Sequence, residues 1–220
     1  MNRLKKHRCA LFDLDGVIVD TAKYHFLAWK KIAAQFGYEL TLQDNEQLKG
    51  VSRPDSLNRI LEMAGTRLDE TTFESYLHQK NKDYLQLIQE VTPEDILPGV
   101  QAALNFLKLN KVKIGLGSAS KNALMILEKL QITSFFEVII DGNSVQQGKP
   151  HPEVFLKGSN ALGEAAEACV VFEDSQAGID AAKAGEMTAV ALGDAKLFKN
   201  MDYCYPDFEA LDKVVLQTLF

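Results

Sequence analysis

Two aspartates at the end of an apolar run are the first residues whose types and spacing could do chemistry. The run Cys9–Phe12 is typical of a buried strand, and Asp13, Asp15 and Gly16 follow it closely. Ligands of open α/β sheets bind outside the carboxyl ends of the strands, so carboxylates at this place could bind a cation or exchange protons. A simple polar turn would account for Asp-Leu-Asp-Gly about equally well when the segment is considered alone.

Polar side chains also follow two later apolar runs. Ser118 follows one of them, where a hydroxyl could hold a phosphate oxygen, although a helix N-cap explains a serine there more readily when the residue is considered alone. Glu173 and Asp174 follow the other, where an acidic pair serves either Mg²⁺ or a helix N-terminus. Lys149 precedes a predicted helix, and its ammonium could neutralise a phosphate, although a lone lysine there is usually solvated.

Together, the segments around these residues resemble, in the same order, the four motifs of the haloacid dehalogenase superfamily. These segments are DLDGV at 13–17, the strand ending in Ser118, Lys149-Pro150, and Glu173-Asp174-Ser175. Within that superfamily the chain is similar to the β-phosphoglucomutase family along nearly its whole length, in the segments YHFLAWK, KGVSR, SASKN, GKPHP and EDSQAGI. The resemblance therefore implies an enzyme of phosphoryl transfer.

The resemblance assigns the catalytic carboxylates. It implies that Asp13 attacks a phosphoryl group and becomes an aspartyl phosphate, while Asp15 protonates or deprotonates the sugar oxygen. It also implies that Thr21 and His25 orient Asp15, although a histidine at that place in a helix is most often a partly exposed structural residue. The expected catalytic residues are therefore Asp13, Asp15, Thr21 and His25.

A Mg²⁺ ion and a cradle for the transferring phosphate are implied as well. Mg²⁺ prefers carboxylate oxygens together with substrate phosphate. The expected metal-binding residues are Asp13, Asp15 through its backbone carbonyl, Glu173 and Asp174. The transferring phosphate is expected to contact Ser118, Lys149 and the backbone N–H groups of Leu14, Gly16 and Ala119.

A mutase needs a second phosphate site for the far end of a bisphosphate. Arg53 offers bidentate geometry for that phosphate, and its expected partners are Ser120, Lys121 and Asn122. An isolated arginine at a helix start is, however, usually a solvated charge. The assignment of Arg53 therefore depends on the family resemblance.

The remaining candidates belong to the segment between the first two motifs. The resemblance places Lys49 and Gly50 against the sugar. Lys80 occupies the apolar stripe of a predicted helix, so its spacing predicts that it faces inward and needs a polar partner. His25 is the partner that we expect. Lys80 is also among the residues that we expect to bind the substrate.

Two kinds of element must position these residues. Apolar positions recur at helical spacing from Ala22 to about Thr92, which predicts a largely helical segment. From Pro98 onward strand-like runs alternate with helical stripes, which predicts a parallel sheet. The expected strands are 9–12, 112–117, 138–140, 170–172 and 188–191, and the expected helices after Pro98 are 100–109, 118–122 onward, 153–162 and 176–184.

The predicted fold class is α/β, with a Rossmann-like parallel sheet core, helices on both faces and an inserted all-α cap domain. The predicted bounds are 1–19 and 93–220 for the catalytic core and 20–92 for the cap. Because two connections join the cap to the core, the cap could act as a hinged lid over the acidic loop.

Length and composition limit the class of partner. The chain has 220 residues and a net charge of -6, which disfavours nucleic acid and anionic membranes. The apolar run after the basic segment 1–8 is too short for a signal peptide, and no run has transmembrane length. We therefore expect a cytoplasmic monomer that acts on a small phosphosugar and binds neither nucleic acid nor membrane.

The function implied by the resemblance is a phosphosugar mutase. It would interconvert β-D-glucose 1-phosphate and D-glucose 6-phosphate through an aspartyl-phosphate enzyme and β-glucose 1,6-bisphosphate. The alternative is a Mg²⁺-dependent sugar-phosphate phosphatase with the same four motifs, against which only the segments 49–53 and 120–122 argue. A non-catalytic phospho-accepting domain would share acidic residues, a hydroxyl and a lysine, but the helical insertion and Asp15 argue against it.

Overall fold

A six-stranded sheet carries the strand ends that the sequence singles out. The computed structural model describes residues 7–220, and residues 1–6, which the sequence analysis assigned to the core, lie outside the described residues. The strand order is β3-β2-β1-β4-β5-β6 and every pairing is parallel. The strands are β1 Cys9–Phe12, β2 Lys113–Gly117, β3 Val138–Ile140, β4 Cys169–Glu173, β5 Thr188–Leu192 and β6 Tyr203–Tyr205. The predicted α/β class with a parallel sheet is confirmed.

Helices cover both faces of this sheet and form the segment after β1. Their bounds are α1 Ala22–Gln35, α2 Leu42–Glu46, α3 Arg53–Met63, α4 Glu70–Leu87, α5 Val100–Leu109, α6 Ala123–Lys129, α7 Glu153–Ala161, α8 Gln176–Ala184 and α9 Lys213–Leu219. Short 3₁₀ turns lie at Ile88–Glu90, Pro93–Asp95, Thr133–Phe135, Ala166–Ala168 and Ala195–Leu197. In the described part of the chain, no helix has both the length and the apolar character needed to cross a membrane.

Strand β1 separates two apolar layers because its side chains alternate between the faces of the sheet. Ala10 and Phe12 belong to one buried cluster, while Cys9 and Leu11 belong to another. All four residues are fully buried, as expected for a central strand covered on both faces. The sheet is therefore an interior layer, and its strand ends form a fixed edge.

The helical segment between β1 and α5 has an apolar cluster of its own. Buried side chains of α1, α3 and α4 meet in this cluster, which includes Trp29, Ile32, Leu57, Ile60 and Leu77. Helix α2 joins the same unit and begins with a capping box, in which Thr41 and Asp44 bond each other's backbone N–H groups. A separate core suits the predicted cap at 20–92, and the division into two domains stays a prediction.

The two connections to this segment run side by side. Val19 forms isolated β-bridges with Asp15 and with Ile96, and the Leu97 N–H donates to the Ile18 carbonyl at 2.9 Å. The connection that leaves the core is therefore hydrogen-bonded to the one that returns. This pairing places the start of the helical segment directly beside the acidic loop.

One predicted helix start differs from the observed one. Helix α6 begins at Ala123, so residues 118–122 form a loop and do not open the helix as the sequence suggested. Arg53 is the first residue of α3, with Ser52 as its N-cap. The residues proposed for phosphate binding therefore precede a helix or lie in its first turn, where backbone N–H groups lack helical partners.

Candidate active site

The carboxyl ends of neighbouring parallel strands bring four of the predicted residues together. Asp13 follows β1, Ser118 follows β2, and Glu173 is the last residue of β4. The Asp13 N–H donates to the Phe172 carbonyl at 3.0 Å, so the sheet ladder continues into the site. Lys149 comes from the loop between β3 and α7, and it is fixed there by the contacts described next.

Lys149 bridges two carboxylates beneath the site. Its Nζ lies 2.6 Å from Asp13 Oδ1 and 2.5 Å from Glu173 Oε1, and all three residues are buried. Burial disfavours the charged ammonium, but Asp13 and Glu173 outweigh that effect and raise the pKa of Lys149. Burial also raises the pKa of Asp13 to about 7, with Glu173 adding to the rise and Lys149 opposing it. Lys149 is therefore a permanent cation held against the proposed nucleophile.

Three carboxylates form a cluster that fits a divalent cation. Asp13, Glu173 and Asp174 each offer an oxygen atom, and these atoms lie within 4.8 Å of one another. Burial, together with the neighbouring carboxylates Glu173 and Asp13, raises the pKa of Asp174 well above its ordinary value. Asp13 and Glu173 are buried and Asp174 is half-buried, and such a cluster of carboxylate oxygens suits a hard divalent cation.

Within this cluster, Glu173 already has protein partners. Its Oε2 accepts hydrogen bonds from the backbone N–H of Ser175 at 3.1 Å and from the Ser175 hydroxyl at 2.8 Å, while Oε1 contacts Lys149. Asp13 and Asp174 are therefore better placed to ligate a cation directly, and the predicted ligation by Glu173 stays a prediction. The helix-cap alternative for the pair Glu173 and Asp174 is wrong, since Ser175 caps α8 through Gly178.

Gly16 keeps the space around Asp174 open. Its φ of +82° lies in the left-handed region, and a side-chain carbon at this position would stand 2.0 Å from Asp174 Oδ2. Only glycine therefore allows the acidic loop to approach the carboxylate. The predicted contact between the Gly16 N–H and the transferring phosphate stays a prediction.

Asp15 contacts the first helix of the cap. The Thr21 hydroxyl donates to Asp15 Oδ1, and His25 Nε2 lies 3.7 Å from the same oxygen. Burial alone would raise the pKa of Asp15, but His25 and Thr21 reverse this effect and lower it below its ordinary value. Asp15 is therefore ionised at neutral pH and able to accept a proton.

Lys80 is buried against His25, as the sequence predicted. Its Nζ lies 2.7 Å from His25 Nδ1 and stands over the rings of Trp29 and Tyr84, at 5.0 and 4.6 Å from their centroids. Burial and the positive charge of Arg53 lower the pKa of Lys80 to about 7. The inward orientation and the contact with His25 are confirmed, whereas a role in substrate binding stays a prediction.

The loop after β2 has the form of a phosphate cradle. Ser118 Oγ accepts the Ser120 N–H at 3.1 Å, and Ser120 Oγ accepts the Asn122 N–H at 3.2 Å. Because α6 begins later, at Ala123, the helix-cap explanation for Ser118 and Ser120 is wrong. The two hydroxyls instead bond within the loop, and Ala119, Ser120, Lys121 and Asn122 of this loop line the same cavity as Asp13.

A cavity of about 350 Å³ lies between the helical segment and the strand ends. We call its lining from the sheet side the core wall, which includes Asp13, Asp15, Ala119, Ser120, Lys121, Asn122 and Asp174. We call its lining from the helical side the cap wall, which includes His25, Asn45, Lys49, Gly50, Arg53 and Lys80. The predicted residues that do not line the cavity are Leu14, Gly16, Thr21, Ser118, Lys149 and Glu173. Leu14 has a fully buried side chain, so only its backbone could serve a ligand.

The two walls touch each other directly. The side chain of Asn122 donates to Asn81 Oδ1 at 3.1 Å, and Lys49 Nζ lies 3.9 Å from Asp174 Oδ2. A side-chain carbon at Gly50 would stand 2.2 Å from Ser175 Oγ, which only a glycine avoids. The helical segment therefore sits closely on the core and encloses the cavity.

Sequence reasoning missed several lining residues, among them Trp29, Asn45, Val145, Gln146 and Gly148. Trp29 belongs to the apolar cluster of the helical segment, and apolar spacing predicts packing for such a residue, not contact with a ligand. Asn45 lies in a one-turn helix, and residues 145–148 lie in a loop, so neither region gives a periodic signal. For these positions only the fold reveals the proximity to Asp13.

The sheet, the inserted helices and the acidic strand ends together define a class of protein. Residues 10–192 match the family model of haloacid dehalogenase-like hydrolases, and the chain belongs to that family. The expectation drawn from the four motifs is thereby confirmed.

Within the family, the chain is similar to β-phosphoglucomutases. It is 44% identical to the β-phosphoglucomutase of Bacillus subtilis (strain 168) over 191 residues, which cover 86% of this chain and 84% of that protein. The crystal structure of β-phosphoglucomutase from Clostridium difficile superposes with a TM-score of 0.93 at 39% identity, covering 97% of this chain and 96% of that one. A phosphorylated carbohydrates phosphatase of Thermotoga maritima is 32% identical over 175 residues, 79% of each chain.

Proposed function

We propose that this protein is a phosphosugar mutase that interconverts β-D-glucose 1-phosphate and D-glucose 6-phosphate. The reaction would pass through an aspartyl phosphate on Asp13 and β-glucose 1,6-bisphosphate as the released or reoriented intermediate. The similarity to the B. subtilis and C. difficile β-phosphoglucomutases along most of the chain supports this activity.

One observation carries the proposal beyond a general phosphatase: an unpaired cation faces the nucleophile across the cavity. Arg53 lines the cavity from the cap wall and makes no ion pair with a carboxylate within residues 7–220. Ser120, Lys121 and Asn122 line it from the core wall. A guanidinium without a carboxylate partner is suited to bind a second phosphate, which a mutase must hold while the first phosphate is transferred.

In the transfer step, a carboxylate oxygen of Asp13 forms a bond to phosphorus as the bond from phosphorus to the sugar oxygen breaks. Asp15 donates a proton to the departing oxygen, or accepts one when a sugar hydroxyl attacks the aspartyl phosphate. The lowered pKa of Asp15 suits the second direction, since an ionised Asp15 is ready to accept the proton. Lys149 and Ser118 hold the phosphoryl oxygens during both directions.

Mg²⁺ is part of this proposal, with Asp13, Asp174 and the backbone carbonyl of Asp15 as its expected ligands. The acidic cluster of Asp13, Glu173 and Asp174 supports a divalent cation at this place. When bound, Mg²⁺ would neutralise charge on the phosphoryl oxygens and on the nucleophile.

The alternative function is a sugar-phosphate phosphatase of the same family. The similarity to the T. maritima phosphatase favours it, because that protein covers most of this chain at 32% identity. The same core groups would then transfer the phosphoryl group from Asp13 to water. The difference between the two functions lies in whether the cap wall retains a sugar.

A single assay separates these functions. β-Glucose 1-phosphate is incubated with the protein, Mg²⁺ and a small amount of glucose 1,6-bisphosphate, and ³¹P NMR follows the products. A mutase gives glucose 6-phosphate with no loss of organic phosphate. Accumulation of inorganic phosphate and glucose in place of glucose 6-phosphate would contradict the mutase and support the phosphatase.

A cytoplasmic location and a monomeric state also belong to the proposal. The small, negatively charged substrate and the net charge of -6 support a partner that is neither nucleic acid nor membrane. Sedimentation of the purified protein tests the monomer, and a dimeric mass would contradict it.

A further inference from the structure

Asn45 is a buried amide on the cap wall that the assigned site does not use. Its residue is only 7% exposed, and it lines the same cavity as Asp13 and Arg53. Within the part of the chain that the structure describes, its side chain makes no hydrogen bond to protein. Both the donor and the acceptor of this amide are therefore available to a ligand in the cavity.

The helix that carries Asn45 is held firmly in place. Thr41 Oγ1 accepts the Asp44 N–H at 3.1 Å, and Asp44 Oδ2 accepts the Thr41 N–H at 2.9 Å. The Tyr38 hydroxyl also donates to Asp44 Oδ2, at 3.1 Å. These bonds fix the first turn of α2, so the Asn45 side chain is presented in a set position.

The side-chain amide of Asn45 is open to the cavity although nearby residues of the segment are buried. Leu40 and Leu48, on either side of Asn45 in the sequence, are both buried in the apolar cluster of the cap. The amide atoms of Asn45 are not among the fully buried side-chain atoms that lack a partner in the described residues. The amide can therefore exchange a hydrogen bond to solvent for one to a ligand in the cavity.

The chemistry of an amide selects the part of the ligand that it meets. Charged side chains are matched to the phosphate groups: Arg53 lines the cavity, and Lys149 contacts Asp13, which lines it too. A neutral amide, which both donates and accepts, is suited to a hydroxyl group. Asn45 lines the same cavity as Asp13 and Asp174, so a sugar bound beside these carboxylates shares the cavity with the amide.

We infer that Asn45 binds a ring hydroxyl of the sugar and thereby contributes to the choice of phosphosugar. The inference deepens the proposed mutase function and rests on it. It assigns to the cap wall a neutral contact with the sugar, in addition to the charged contact of Arg53 with the distal phosphate.

The test compares Asn45→Ala with the control Gln43→Ala, which removes an exposed amide from the same helix. Rates are measured with glucose 6-phosphate and with its 2-, 3- and 4-deoxy analogues, in the presence of Mg²⁺ and bisphosphate. Asn45→Ala should lower kcat/KM for glucose 6-phosphate by roughly threefold to tenfold, the effect of one neutral hydrogen bond. Gln43→Ala should leave it unchanged.

The analogue that lacks the contacted hydroxyl identifies the contact. With that analogue, wild type and Asn45→Ala should have equal kcat/KM, because neither can form the bond. Phosphorylation of Asp13 by acetyl phosphate, which has no sugar, should be the same in both proteins. Asn45→Leu keeps a similar side-chain volume without polar atoms and should show the same dependence of kcat/KM on the substrate. This second variant keeps the test valid if Asn45→Ala folds poorly.

Two results would overturn the inference, and they differ from failure of the proposed function. An equal loss with glucose 6-phosphate and every deoxy analogue would show that Asn45 supports the fold of the cap and does not touch the sugar. No loss with any substrate would remove Asn45 from recognition altogether. Failure of the mutase proposal would be visible in the wild-type protein alone, which would then give no isomerised sugar phosphate.

Discussion

The core wall and the cap wall of the cavity are built on opposite electrostatic principles. On the core side, Asp13 and Glu173 share the ammonium of Lys149 at 2.6 and 2.5 Å. On the cap side, Arg53 has no ion pair in the described residues and Asn45 has no side-chain hydrogen bond there. The proposed nucleophile Asp13 is therefore preorganised by contacts within the core, whereas two polar groups of the cap wall, Arg53 and Asn45, keep their side chains free for a ligand.

This difference suggests a division of work. Groups that must be in place before the phosphoryl group moves are held at the ends of the strands. A small displacement of these groups would lower the rate of transfer. Groups that choose the phosphoryl acceptor are left on the helical segment. Substitutions in the core wall should abolish chemistry, and substitutions in the cap wall should change which molecule receives the phosphoryl group.

The largest effect is expected for Asp13→Asn. An amide is a far weaker nucleophile than a carboxylate, so this variant should form no aspartyl phosphate from acetyl phosphate or from glucose 1,6-bisphosphate. Radiolabel retained on denatured protein measures the adduct. A labelled adduct at the wild-type level in Asp13→Asn would place the nucleophile elsewhere.

The next largest effect is expected for Asp15→Ala. Loss of the proton carrier should slow transfer between Asp13 and the sugar by roughly 10²–10⁴-fold, the range typical of general acid–base catalysis. Rapid-quench measurement of a single turnover reports this step directly. An unchanged single-turnover rate would exclude Asp15 from proton transfer.

A smaller and more selective effect is expected for Arg53→Ala. Removing a charge-assisted contact with the distal phosphate costs about 1.5–3 kcal/mol, so turnover of glucose 6-phosphate should fall by roughly one to two orders of magnitude. Phosphorylation by acetyl phosphate, which has no distal phosphate, should stay close to the wild-type rate. Arg67→Ala, which removes an exposed arginine of the same helical segment, is the matched control.

Equal losses with both phosphoryl donors in Arg53→Ala would mean that Arg53 supports the seating of the cap. If Arg53→Ala lowered the rate with neither donor, Arg53 would not bind a second phosphate. The phosphatase would then be the better account of the function.

The smallest effect concerns the pH dependence of stability through Lys80. Burial lowers the pKa of Lys80 to about 7, from 10.5 in the unfolded chain, so the unfolded state binds more protons between these values. The free energy of unfolding of the wild type, relative to Lys80→Met, should therefore rise as pH increases from 7.5 to 10. Urea unfolding across this range measures it, and parallel curves for the two proteins would show that Lys80 keeps its ordinary pKa.

The sequence predicts the core wall better than the cap wall, and the reason is physical. Asp13, Ser118 and Glu173 follow apolar strands, and parallel strands end at one edge of a sheet, so linear order implies proximity. Strand β6 and helix α2 escaped prediction because three or five residues are too few to show a period. The start of α6 was misplaced because serines are good caps, and only the structure shows them bonding within the loop instead.

Asn45 shows why the rest of the site could not be read from the sequence. It is a polar residue in a polar stretch, and its meaning depends on burial and on the lack of a partner among the described residues, which only the folded chain reveals. The inward orientation of Lys80 could be predicted because its charge interrupts an apolar stripe. Asn45 does not interrupt an apolar stripe, so no sequence pattern indicates that it lines the cavity.

The most direct test of the division between the walls is the fate of a preformed aspartyl phosphate. Wild-type protein is labelled on Asp13 with radioactive acetyl phosphate and mixed rapidly with Mg²⁺ and either glucose 6-phosphate or buffer. The account predicts that most of the label moves to the sugar as a bisphosphate, much faster than it is lost to water. Label released as inorganic phosphate at the same rate with and without the sugar would contradict it.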